Sequence, residues 1–194
     1  MMLNKCQIYL ASKSPRRAEL LEQIGIGFEL VDVNVSEIRE ANESAEAFVE
    51  RLALDKARAG WQVSNKTCPV LGADTIVVLD NEVLGKPTSA ADAERMLASL
   101  SGKQHTVMTA IAMVEAERES ARLNCSQVSF RVMSDTERKN YVASGEPLDK
   151  AGAYAVQGLA AIFIEHLQGS YSGVMGLPLF ETADLLREFS ISVV

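Results

Sequence analysis

The chain has 194 residues, 47% of them apolar and 23% charged, and a formal net charge of −7. That length favours one domain, spanning residues 1–194, with enough apolar material for a core. The acidic balance excludes a broad nucleic-acid-binding surface, although a few converging cations would still hold a phosphate ligand. Cys6, Cys68 and Cys125 form no C-x-x-C pair, and His105 and His166 are too separated for a histidine metal site. A sparse, odd cysteine count fits a reducing compartment. With no apolar run of about 18 residues and no N-terminal apolar leader, the expectation is a cytoplasmic protein without a membrane span.

Gln7–Ala11 reads as a short buried strand that runs directly into Ser12-Lys13-Ser14 and a helical pattern over Ala18–Gly25. Ser14 suits an N-cap and Pro15 the first helical position. A strand feeding a helix start makes an anion site, because free N–H groups and the helix dipole face the ligand. Arg16 and Arg17 strengthen it, since a guanidinium grips phosphate bidentately. The bland alternative is a surface arginine pair on an ordinary capped helix. No P-loop or Rossmann glycine pattern is present, and Gly25 and Gly27 read as helix terminators.

Phe28–Val33 is a second strand and Asn34–Asn42 a polar loop carrying Glu37. Ser44–Trp61 is the strongest helix, with Ala45, Phe48, Val49, Leu52 and Ala53 on one stripe and Lys56 at its border. A lysine there either snorkels to water or reaches inward from the core face.

The central stretch is PVLGADTIVVLDNEVLGKP, Pro69–Pro87. Its first half is a nearly continuous apolar run, as in a strand buried on both faces, yet it carries Asp74. A buried carboxylate needs a cation, a metal or a proton partner. Asp80-Asn81 makes a turn, and Gly85-Lys86-Pro87 closes the segment with a loop lysine. An acid and a lysine so arranged suit a metal-phosphate ligand; the alternative is a structural acid paired with a core arginine and a solvated loop charge.

Ser89–Leu100 reads as a helix, and His105–Val114 and Leu123–Met133 as long strands joined in a hairpin, with Val128, Phe130 and Val132 alternating inward. Ser134 with Glu137 makes a capping box at the start of a helix over Ser134–Ser144. Leu148–Gly158 lacks either periodicity and contains glycines that let backbone approach a ligand, with Lys150, Tyr154 and Gln157 as polar contacts. Ala160–His166 reads as a strand, Gly169–Pro178 as a connection, Leu179–Phe189 as a helix, and the tail ISVV as a short final strand. Long strands mixed with helices indicate an α/β or α+β fold.

Taken together, Ser12-x-Ser14-Pro15-Arg16-Arg17, Glu37, Lys56, GADT at Gly72–Thr75, GKP at Gly85–Pro87, KAGAYAVQG at Lys150–Gly158 and GLP at Gly176–Pro178 resemble the Maf family, in order and over nearly the whole chain. The resemblance implies an α/β fold, a curved mixed sheet flanked by helices with two lobes around a cleft, similar to the inosine triphosphate pyrophosphatases. It implies cleavage of a nucleoside triphosphate to the monophosphate and pyrophosphate, a divalent metal cofactor (Mg²⁺ or Mn²⁺, with Co²⁺ as a further candidate) and a homodimer.

The resemblance extends to specificity. Arg16, Thr75 and Gln157 match the branch acting on dTTP and UTP, whereas a sister branch acting on 7-methyl-GTP has Trp, Gln and Glu there. SYSGVM ahead of GLP departs from the more usual asparagine- and valine-rich lead-in. By the same carry-over, Ser12, Ser14, Arg17, Lys56 and Lys86 bind phosphate, Glu37 holds the metal, and Asp74 is the general base or shares the metal. Thr75 alternates to the strand face opposite Asp74 and so acts through the strand end or backbone. Gln157 can donate and accept toward the edge of uracil or thymine. The competing readings are a nucleotide-binding regulator of septum formation and a pyrophosphatase preferring 7-methyl-GTP or a modified pyrimidine triphosphate.

Overall fold

The computed structural model describes residues 6–193. Its elements follow in the order β1 (Ile8–Ala11), α1 (Pro15–Gln23), β2 (Phe28–Leu30), α2 (Ala45–Val63), β3 (Val70–Leu79), β4 (Glu82–Leu84), α3 (Ala90–Leu100), β5 (Gln104–Glu115), β6 (Arg118–Phe130), α4 (Asp135–Ala143), β7 (Ile164–Gln168), α5 (Tyr171–Met175) and α6 (Leu179–Glu188). They build one α/β architecture on a seven-stranded sheet of order β2-β1-β3-β5-β6-β7, with β4 paired to β3. The sheet is mixed: β1 runs parallel to β2 and β3, whereas β4 and β7 pair antiparallel to β3 and β6. Parallel neighbours suit β1 and the first half of β3, which are buried throughout. No helix among the described residues is long and apolar enough to cross a membrane.

The chain divides into two compact units. The first comprises the described residues up to Asp74, with Thr109–Asn124 and those from Gly176 on; the second comprises Thr75–Met108 and Cys125–Met175.

In the first unit, α1 ends where its sequence says it should. Gly25 takes φ +72°, the Ile26 N–H bonds the Leu21 carbonyl, and the Gly25 N–H bonds that of Glu22, a Schellman stop with Leu21 and Ile26 both buried. The start of α1 differs from expectation. Ser14 has extended cap geometry, but its side chain makes no capping bond. The Ser12 hydroxyl accepts from the Ser14 N–H instead (3.2 Å), so the turn is held one step earlier. Helix α2 is capped by Ser44, which accepts from the Ala47 N–H (3.1 Å).

In the second unit, Asp80 and Asn81 both take positive φ, 50° and 68°, the requirement of a two-residue turn whose twist matches the strands it joins. That turn folds β4 back on β3 with Leu79 opposite Glu82. The capping box of Ser134 and Glu137 is present at α4. The core gathers Val77, Leu97, Val107, Phe130, Tyr154 and Phe163.

Three expectations fail here. Strand β6 begins at Arg118 and ends at Phe130, so Val132 is 76% exposed rather than turned inward. A register shift at Ser129/Phe130 marks the end of that pairing. Leu159–Phe163 is a 3₁₀ turn, and the strand begins only at Ile164. Its buried residues Ala160 and Phe163 are three apart, the spacing that a 3₁₀ helix puts on one side. The tail forms no strand over residues 191–193, and Val194 lies outside the described residues. The expected connection before GLP contains α5, opened by Ser170, whose hydroxyl accepts from the Gly173 N–H (3.0 Å).

Candidate active site

Helix α2 lies very close to β3, and two glycines make that possible. A Cβ on Gly72 would stand 2.2 Å from the Ala53 carbonyl oxygen and 2.6 Å from the Ala57 nitrogen, both backbone atoms of α2. A Cβ on Gly60 would meet a Val70 methyl at 2.6 Å. With Ala53, Ala57 and Gly60 buried on the facing side of α2, helix and strand backbones approach nearly to contact. Lys56 sits within this small-residue stretch, and Asp74 lies two residues beyond Gly72.

The outcome is a charge cluster centred on Lys56. Lys56 Nζ donates to Asp74 Oδ1 at 2.6 Å and to Glu37 Oε1 at 2.7 Å. The side chains of Lys56 and Asp74 are 13% and 12% exposed and that of Glu37 is 53% exposed, so the cluster runs from the protected strand outward to solvent. The choice that sequence left open for Lys56 is thereby resolved: it turns inward, and it is the cation that the strand carboxylate required.

Glu37 comes from a segment without regular structure, and α2 fixes that segment through one arginine. Arg51 grips both Glu43 oxygens (2.7 and 2.9 Å) and donates to the Ile38 carbonyl (3.1 Å). Arg39 also donates to the Glu43 carbonyl. The Arg51 guanidinium holds the Glu43 carboxyl well below the usual carboxylate range, at about 2.

At the start of α1, Arg17 is 8% exposed. Its Nε donates to the Gly176 carbonyl (2.8 Å) and its Nη1 to the Ser12 hydroxyl (2.9 Å). Burial pulls its guanidinium below the ordinary arginine value, Asp74 and Glu37 oppose that pull by attraction, and Arg16 adds to it by repulsion. Two Arg17 donors thus shape the Ser12–Ser14 turn and tie it to the GLP segment. Arg16 is only partly buried at the first turn of the helix. The structural reason for Gly176 was not legible in the sequence.

In the second unit, Lys86 is exposed, and its ammonium has no carboxylate partner among the described residues. Its loop is tied to the KAGAY stretch, where the Gly152 N–H bonds the Gly85 carbonyl (3.0 Å). Gly152 is required there twice over: its φ is +66°, and a Cβ would stand 2.7 Å from Val77. Thr75 is half-buried and Gln157 exposed. Lys150 and Tyr154, expected as ligand contacts, are engaged elsewhere. Lys150 donates to the Glu146 carbonyl (2.9 Å), and the buried Tyr154 hydroxyl pairs with His105 Nε2 (2.8 Å). That His105–Tyr154 pair is not legible in the sequence, since its partners lie 49 residues apart.

Two carboxylate oxygens, Glu37 Oε1 and Asp74 Oδ1, converge on one cationic atom. An oxygen-only pair of this kind fits a hard divalent ion that takes its other ligands from phosphate and water. Among the described residues no group of three or more His, Cys, Asp or Glu side chains could hold a metal alone.

An acid–lysine cluster and an arginine-bearing helix start thus belong to the same unit, on a mixed α/β sheet. Residues 7–189 match the sequence model of the Maf family, described as Maf-like protein. A protein of Alkalilimnicola ehrlichii named dTTP/UTP pyrophosphatase is 55% identical over 95% of this chain and 93% of its own length. One of Escherichia coli K12 with the same name is 51% identical over 94% and 93%. Among solved structures, a nucleoside-triphosphatase / dITP/XTP pyrophosphatase of Mycobacterium abscessus aligns with a TM-score of 0.42 and 23% identity over 64% of this chain and 72% of that one. The chain belongs to the Maf family.

Proposed function

We propose that this protein hydrolyses dTTP and UTP to the nucleoside monophosphate and pyrophosphate. The observation that carries the reading is the Lys56 ammonium shared between Asp74 and Glu37, an acid pair on an internal cation at the end of a buried run. The reading is supported by the two relatives of that name, which align over more than nine-tenths of their length.

In the proposed reaction, water attacks the α-phosphorus, the bond to the α,β-bridging oxygen breaks, and pyrophosphate leaves. Asp74 orients the water and takes its proton, a role its strand position and its bond to Lys56 make rigid. Phosphoryl and nucleotidyl transfers ask a protein chiefly for positioning and charge stabilisation. Lys56 and Arg16, with the Ser12 and Ser14 turn that Arg17 braces, supply positive charge and donors at a helix start. Lys86 belongs to the second unit, and its proposed role toward phosphate rests on the family resemblance. Glu37 and Asp74 would hold a divalent ion, Mg²⁺ or Mn²⁺, which when bound neutralises phosphate charge as a Lewis acid. Thr75 and Gln157 belong to the second unit, and their role in base preference, with that of Arg16, rests on the family pattern of R, T and Q. The family resemblance underlies the proposal of a homodimer, and the sparse, odd cysteine count that of a cytoplasmic location.

Phosphorus NMR of dTTP turnover tests the reaction. The expected products are dTMP and pyrophosphate; dTDP and orthophosphate would overturn the proposed bond cleavage.

A further inference from the structure

Gln157 is presented by a doubly anchored turn. The Gly158 N–H bonds the Ala155 carbonyl (3.1 Å), closing a four-residue turn with Gln157 third. The segment leading into the turn is held where the Ala155 N–H donates to the Tyr141 hydroxyl (3.2 Å). The 3₁₀ turn that follows is held where the Leu159 N–H donates to Glu146 Oε2 (3.0 Å) and the Ala160 N–H lies 3.5 Å from Glu146 Oε1. Tyr141 and Glu146 are themselves joined, the hydroxyl donating to Oε1 at 2.8 Å. One side-chain pair therefore holds both legs of the turn.

The fit is tight. A Cβ on residue 158 would stand 2.4–2.5 Å from the Glu146 carboxyl atoms, so only glycine can follow Gln157 while that carboxylate holds its place. Tyr141 is fixed in turn: it lies on α4, whose start is locked by the Ser134–Glu137 capping box, and its ring meets Phe163 edge-on at 5.6 Å. Flanking residues Val156 and Ala160 are buried while Gln157 is exposed, so the turn projects one polar side chain from an immobilised frame.

We infer that Tyr141 and Glu146 are positioning residues for Gln157 and through it set base preference. This rests on the reading of Gln157 as the base-reading residue. An amide discriminates by hydrogen bonds only when its donor and acceptor are held in place, and a loosened turn lets Gln157 serve purines and pyrimidines more equally. The frame uses a carboxylate because two backbone N–H groups and a hydroxyl need three acceptor positions, which Glu offers and Gln does not.

The test is kcat and KM for UTP, dTTP and GTP in the wild type, Tyr141→Phe, Glu146→Gln and Gln157→Ala. Tyr141→Phe and Glu146→Gln are expected to lower the UTP:GTP ratio of kcat/KM about tenfold, through KM more than kcat, as for one or two lost hydrogen bonds. If Glu146→Gln does not fold, Tyr141→Phe alone decides, because it removes one oxygen and keeps the ring packing. An unchanged ratio in the folded variants, with the ratio collapsed in Gln157→Ala, overturns the positioning role and leaves the base-reading role standing. A wild type without pyrimidine preference, or a Gln157→Ala protein that keeps it, overturns the base-reading role and this inference with it.

Discussion

Lys56 Nζ stands 2.6 Å from Asp74 Oδ1, and that bond joins a helix to a strand across the closest backbone approach described above. A lysine in this position does two jobs. It offsets the burial of a carboxylate on a strand that is otherwise apolar, and it places a positive charge beside the group proposed to activate water. Replacing Lys56 by Met removes the ammonium that Asp74 and Glu37 share. The expected results are a loss of about 3 kcal/mol in unfolding free energy and a fall in turnover of about a hundredfold or more. Denaturant unfolding beside steady-state kinetics checks both, and wild-type stability in the variant would show that the pair is not coupled.

Gly72 and Gly60 separate crowding by backbone from crowding by side chain. A methyl on Gly72 strikes main-chain atoms of α2, whereas one on Gly60 strikes the methyl groups of Val70, Ala11 and Val31. Gly72→Ala should therefore lower stability by about 1–3 kcal/mol and also impair turnover, because α2 must shift and carries Lys56 with it. Gly60→Ala should disturb turnover less, since side-chain tips can give way. Thermal melts and kinetics of the two variants compare them; equal loss of turnover in both would remove the link between the Gly72 contact and the site.

Burial pushes His105 down from 6.5 to about 4. A histidine neutral in the fold and protonated in the unfolded chain contributes stability that is complete above about pH 6.5 and is lost as pH falls toward 4. The contribution is of order 3 kcal/mol, within a ring cluster where His105 meets Phe130 and Tyr154 edge-on. Unfolding free energy should rise with pH across that window in the wild type, and His105→Gln should flatten the slope. Parallel slopes in the two proteins would assign the acid sensitivity to other groups.

Arg51 governs how firmly the Glu37 segment is held. Its two bonds to Glu43 form the bidentate geometry that lysine cannot reproduce. Arg51→Lys should speed backbone amide exchange over residues 34–43, measured by mass spectrometry, while α3 in the second unit keeps its protection. Glu43, held at about 2, loses its share of stability only as pH falls from the ordinary carboxylate range toward that value. The segment should accordingly keep its protection at pH 5 in the wild type.

How much of this was written in the sequence depends on the range of each interaction. The Ser134–Glu137 capping box, the Gly25 stop and the Asp80-Asn81 turn are local, and each is legible from a few adjacent residues. The strand around Asp74 and the long α2 carry strong periodic or apolar signals. The expected strand Ala160–His166 starts only at Ile164, because composition does not separate a strand from a 3₁₀ turn at that length; the spacing of Ala160 and Phe163 holds the answer. The contacts that matter most were hidden for another reason. Gly72 beneath Ala53, Arg17 on the Gly176 carbonyl and His105 on Tyr154 join residues far apart in the chain, and none announces its partner. Tyr141 and Glu146 fall outside the family-resembling blocks altogether, which is why their hold on the turn came only from the structure.

The most direct test is pyrophosphate release from a panel of nucleoside triphosphates with Mg²⁺ or Mn²⁺, measured beside nucleotide binding, for the wild type and Asp74→Asn. The account predicts wild-type turnover concentrated on dTTP and UTP, and an Asp74→Asn protein that still binds them while releasing essentially no pyrophosphate. Undiminished turnover in Asp74→Asn would contradict the central role of that carboxylate, and a folded, metal-supplied wild type that binds nucleotides without hydrolysing any would contradict the reaction itself.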